Sequence, residues 1–146
     1  MKRNIISIIL LLVFISCTDP YESSQILEIW SVGAVNKLPN PIYVIVEFKG
    51  YSSQILFIEP EKIVFTDDVS LGLTKNESLN AGGGIYKISI IDEFQTMPII
   101  LEKEQINEYL FRRKREITID DVLEDREYDV IEFILEVTED LKELVE

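Results

Sequence analysis

The run Tyr128-Asp129-Val130-Ile131-Glu132-Phe133-Ile134-Leu135-Glu136-Val137 supports two incompatible structures. At a helical period, Val130, Ile134, Val137, Leu141 and Leu144 form one apolar stripe, opened by Thr118 as the cap of a turn that begins at Ile119 with Asp121 at its third position. At a period of two, Ile131, Phe133, Leu135 and Val137 line one face of a strand, and Thr138 caps a short helix after it. The many Glu and Leu residues, and the continuation of the repeat to Leu144, favour the helix. From Glu102 onward the chain carries 16 acidic and 7 basic residues without a proline or glycine. A second helix is expected over 103–115, with Ile106, Tyr109, Leu110 and the stem of Arg113 on one side and Glu108 ahead of Arg112 in the favourable i,i+4 order.

Upstream, β-branched and aromatic runs separated by turn residues predict strands. Ile26 to Val32 alternates loosely. Ile42 to Phe48 is almost wholly apolar, as expected of a central strand buried on both faces. Gln54 to Ile58 and Lys62 to Thr66 flank Glu59-Pro60-Glu61 and are expected to pair as a hairpin. Asp67 to Gly84 reads as a long loop with one short strand at Val69 to Leu73, and Gly82-Gly83-Gly84 as a flexible turn before a strand. In Ile85 to Ile91, Tyr86, Ile88 and Ile90 are expected to face a core, with Lys87 and Ser89 toward water. Met97 to Leu101 reads as an edge strand because of Pro98. The expected fold class is α+β: an antiparallel sheet or small sandwich over about 25–101, then an acidic, mainly helical C-terminal part, within one globular unit of 26–146.

The amino-terminal segment carries the most specific signal. Lys2 and Arg3 precede an apolar run, Ile5 to Ile15, interrupted only by Ser7, and Phe14-Ile15-Ser16-Cys17 closes it. As a helix that run would rise about 16 Å, half of a hydrocarbon core of about 30 Å, too short for a comfortable span. The pattern resembles the signal of bacterial lipoproteins. The resemblance implies cleavage between Ser16 and Cys17, removal of residues 1–16, lipid attachment at Cys17, and a tether over 17–25. It also implies a domain outside the cytoplasm, held at the cell membrane or outer membrane by two or more acyl chains. Of the residues after the cysteine, Thr18 argues against inner-membrane retention, while Asp19 and Glu22 bear on export to the surface.

The chain has 27 acidic and 14 basic residues, a net charge of −13; loss of Lys2 and Arg3 with the leader leaves 12 basic residues and −15. Such a field repels nucleic acid and anionic lipid and suits a basic partner. Histidine is absent and Cys17 is the only cysteine, which removes thiol nucleophiles, disulfides, Ser-His-Asp triads and the usual zinc ligands. No catalytic residue, cofactor or metal site is assigned. The glycine triplet lacks the following helix of a phosphate loop, and the acids from Asp120 to Asp129 lack the spacing and glycine of a calcium loop.

Arg112-Arg113-Lys114-Arg115 is the one basic cluster. It is a candidate contact for a partner or lipid headgroups, or else it offsets the end of a helix stopping there and pairs with the acids after Asp120. The expected function is that of a lipid-anchored, non-catalytic binding module with a protein or envelope component as partner. The alternatives are an immunity-type lipoprotein neutralising a toxin, an assembly factor of an envelope complex, and a small carboxylate-dependent hydrolase.

Overall fold

A computed structural model describes residues 26–94, 97–120 and 125–143. Strands dominate it, and they form two sheets. The first sheet is built on β1 (Ile26–Asn36), with β4 (Ile63–Phe65) and β5 (Val69–Leu73) sharing one of its edges. On its other edge lie β9 (Asp125–Val137) and then β8 (Leu110–Asp120). The second sheet has the order β3-β2-β6-β7, from β2 (Ile42–Phe48), β3 (Gln54–Ile58), β6 (Ile85–Asp92) and β7 (Ile99–Glu102). Two short helices complete the described residues, α1 (Lys103–Tyr109) and α2 (Glu139–Lys142), with 3-10 turns at Glu77–Leu79 and Ala81–Gly83. No helix among the described residues is long and apolar enough to cross a membrane.

The mainly helical C-terminal part expected from the sequence is overturned. The second helix stops at Tyr109 and the basic run continues as β8, while the ambiguous segment is β9, followed by a four-residue helix with Thr138 at its N-cap position. Burial explains the outcome. A stripe at 130, 134, 137 and 141 would leave Ile131, Phe133 and Leu135 outside it; the strand instead buries all three in the core. Strand β9 runs parallel to β1 in the middle of its sheet, with Ile29 opposite Val130 and Asn36 opposite Val137, and pairs antiparallel with β8 along its full length.

The two sheets share one core. Trp30, Val32 and Ala34 of β1 and Ile131, Phe133, Leu135 and Val137 of β9 meet Val44, Val46, Ile58, Ile88, Ile90 and Leu101 of the other sheet. Trp30 and Phe133 sit with ring centroids 4.7 Å apart, and Ile106 of α1 is fully buried against this core. Buried Asn36 joins the layers: its Nδ2 donates to the carbonyls of Asn40 (2.8 Å) and Ile58 (3.0 Å), and its Oδ1 accepts from the Leu38 N–H (2.9 Å). Every hydrogen-bonding atom of that amide side chain is occupied, as burial requires.

Two local expectations also fail. Strands β3 and β4 do not pair; β3 joins β2 and β4 joins β1, because Glu59-Pro60-Glu61 carries the chain from one sheet to the other. Glu61 takes φ of 59°, and its N–H donates to the Asn36 carbonyl at the end of β1 (2.8 Å). In β6, Tyr86 is exposed, since the register slips between Glu47 and Phe48 and returns Ile85 to the core side. The glycine triplet is a packing device more than a flexible turn. A Cβ on Gly84 would meet Trp30 and Leu71, and one on Gly83 the Glu77 backbone.

Candidate interaction surfaces

The two sheets present very different outer faces. On the first, the alternation of β9 that sends Phe133 inward sends Val130, Glu132 and Ile134 outward, opposite Arg115, Arg113 and Phe111 of β8. Glu132 and Val130 are nonetheless buried. Two arginines roof them. Arg113 and Arg115 both donate from Nε to the Glu132 carboxylate, Arg115 at 2.6 Å, and Arg115 Nη2 reaches Asp68 at 2.9 Å. The Arg113 guanidinium lies 5.6 Å from the centre of the Phe65 ring, which rests on Gly33, where any Cβ would collide with it. The 65–68 segment is pinned in turn. Thr66 Oγ1 accepts from the Val32 N–H (2.9 Å), and Ser31 Oγ donates to the Thr66 carbonyl (3.2 Å). Burial opposes ionisation of Glu132, but the hydrogen bonds from Arg113 and Arg115 outweigh it and hold the carboxyl below its ordinary range.

The basic run is thus divided by strand alternation. Arg113 and Arg115 serve Glu132, while Lys114, on the opposite face, donates to Asp129 at 3.0 Å. No helix ends there, and the expected dipole role has no counterpart; pairing with acids downstream of Asp120 is what holds these three side chains. Arg112 has no acidic partner among the described residues. It lines a cavity of about 340 Å³ with Asn80, Asn107, Leu79, Leu110 and Phe133.

The outer face of the second sheet is apolar and open. Tyr43 lies directly opposite Phe57 on one side and Ile91 on the other; in the next row Ile45 is opposite Ile55 and Ser89, and Ser89 is opposite Ile100. The exposed members form a continuous patch, with Ile55 at 65% and Phe57 at 50% exposure, and the Tyr43 and Phe57 rings are 5.2 Å apart. Acids frame it. Glu47 and Glu102 flank Lys87 across the lower rows, where Lys87 Nζ bridges to Glu47 at 2.9 Å, and Glu59 and Glu93 are exposed just beyond the opposite strand ends. The expectation that Ile42 to Phe48 is buried on both faces therefore holds for one face only. Nothing in a single strand distinguished the two cases, yet Ile55-Leu56-Phe57, Ile90-Ile91 and Ile99-Ile100 are also apolar at adjacent positions. With no long helix among the described residues to lie over this sheet, such doubled apolar positions mark an uncovered face.

A third anchoring point concerns charge at the loops. Lys49 Nζ donates to Glu77 Oε1 at 2.7 Å and the Thr74 N–H to Glu77 Oε2 at 2.8 Å, and these hydrogen bonds pull the Glu77 carboxyl from 4.5 to about 2. Ser16, Cys17 and the tether lie outside the described residues, as do the side chains from Thr118 to Tyr128. Nine residues from Cys17 to Gln25 reach at most about 30 Å before β1 begins. No family model, curated protein or solved structure matches this chain.

Proposed function

We propose that the chain is a lipid-anchored protein of a bacterial cell envelope, held by Cys17 and acting without catalysis as a binding module. The surface that does the binding is the outer face of the β3-β2-β6-β7 sheet, and its occupant is a protein that presents an apolar centre ringed by basic residues. The observation that carries this role is the exposed Tyr43, Ile55, Phe57, Ile91 and Ile100 patch, framed by Glu47, Glu59, Glu93 and Glu102. Buried apolar contact supplies the affinity of such an interface, and the acidic rim together with the net charge of −13 supplies steering and partner choice. An immunity-type role against a basic toxin uses the same surface and is favoured by the charge of its rim.

The test is a titration of the full chain in detergent against the protein it captures from envelope extract, once that protein has been identified and purified. Binding should weaken with rising salt and fall at least tenfold for Phe57→Lys, whereas Lys62→Gln should leave it unchanged. Equal affinity for Phe57→Lys would overturn the assigned surface; attachment of a Cys17→Ser variant to anionic vesicles through this face would replace the protein partner with lipid. Processing is tested separately. Cys17→Ser should abolish lipid labelling and leave precursor, and an unlipidated wild-type amino terminus in mass spectrometry would refute the anchor.

A further inference from the structure

We infer that the cavity beside Arg112 is a binding site for a carboxylate carried on a small apolar body. It is separate from the apolar sheet face, and neither site depends on the other.

Strand β8 places the site. Arg112 lies opposite Phe133, on the core-facing side of the ribbon, at the point where α1 and the turn at Ala81–Gly83 border the sheet. Its three basic neighbours are engaged, Arg113 and Arg115 by Glu132 and Lys114 by Asp129. Arg112 is not, among the described residues, although acids outnumber bases 27 to 14 in the chain. Among the described residues, the lining of its cavity includes no carboxylate. In a protein of this composition, an open recess whose described lining carries donors and no acid is suited to an anion.

Two other polar side chains of the lining, Asn80 and Asn107, can donate. Asn107 Oδ1 accepts the Gly82 N–H at 3.3 Å, which fixes the amide orientation and leaves both Nδ2 hydrogens without a protein acceptor among the described residues. Among the described residues the Asn80 side chain likewise makes no hydrogen bond, its backbone alone being used by the neighbouring turns. An arginine and two amide side chains on the lining of one recess suit an oxyanion, and Arg binds a carboxylate in bidentate fashion. Leu79, Leu110 and Phe133 supply the apolar wall, and about 340 Å³ is near the lower limit of small-ligand pockets. A monoanion is favoured over a phosphate dianion. One arginine neutralises one charge, and the field of the remaining acids acts twice as strongly on a dianion.

The test uses the full chain in a non-ionic detergent, labelled with ¹⁵N, and two probes that differ only in charge: N-acetylphenylalanine and its amide. The acid should give saturable shifts at the Gly82 and Asn107 signals and at Arg112 Nε, and the amide should give none. Arg112→Gln should weaken binding about tenfold or more. Asn107→Asp keeps an acceptor for Gly82 while introducing a negative charge, and should weaken it as well; Lys62→Gln should not. Tighter binding of phenyl phosphate would overturn the choice of a monoanion. A peptide ending in phenylalanine, with a free or an amidated terminus, separates a protein C-terminus from a free acid as the source of the carboxylate. Equal shifts with acid and amide, or unchanged affinity in a folded Arg112→Gln variant, would overturn the site.

Discussion

The outer faces of the two sheets are opposites. That of β1, β9 and β8 is closed by its own side chains: Phe65 lies on Gly33, Arg113 and Arg115 cross Glu132, and Asp68 holds the far end. That of β2, β3, β6 and β7 is closed by nothing in the described chain, and Ile55 and Phe57 stand in solvent. The charged residues that looked like a docking site are mostly occupied within the fold, and the uncharged residues that looked like core are the ones left free to meet a partner.

The largest effect is expected where the closed face is opened. Glu132→Ala removes an acid with 4% of its side chain exposed and takes the Nε acceptor from both arginines, leaving Arg115 only Asp68. Because those arginines are about half-exposed and can turn to water, the loss should be about 2–3 kcal/mol, less than for a fully buried pair, read as a lower urea midpoint at unchanged slope. Gly33→Val should displace the Phe65 ring and cost about 1–3 kcal/mol in the same assay.

Acid should weaken the closed face at Glu132, and the Lys49–Glu77 loop contact, more gradually. Glu132 and Glu77 are both held below the ordinary 4.5 in the folded protein, so their stabilising contribution is complete above about pH 5 and is lost as pH falls below about 4.5, for Glu77 through about 2. The urea midpoint should drop in that window, and the drop should flatten in a Glu77→Gln, Glu132→Gln double variant. If the double variant keeps the full slope, other carboxyls carry the acid sensitivity.

On the open face the stability effect should be the smallest. Phe57→Lys loses one cross-strand contact with Tyr43 and should change stability by less than about 1 kcal/mol, while binding falls at least tenfold. A large stability loss would mean that this face is covered in the folded protein.

The contrast between the faces was only partly legible in the sequence. The bounds of β2 and β3 follow from local composition and from breakers such as Pro41 and Pro60, and so they were readable. The pairing of β1 with β9 joins segments about 100 residues apart, and no local pattern encodes it. In β9, the partners of Glu132 are two arginines on another strand, seen only once the register is known. Strict alternation sends Tyr86 inward because it leaves no room for the bulge between Glu47 and Phe48. The outcome at Arg112 has the same origin, since alternation separates it from Arg113 and Arg115 only if β8 is a strand.

The central claim, that the open face and not the arginine-roofed face contacts the partner, can be tested by photo-crosslinking in the living cell. Benzoylphenylalanine replaces Phe57 in one variant and Phe111 in another; both positions are exposed, and they lie on opposite outer faces. A discrete protein adduct from position 57 and none from position 111 is the predicted result. Adducts from position 111 alone, or none from position 57, would contradict the assignment.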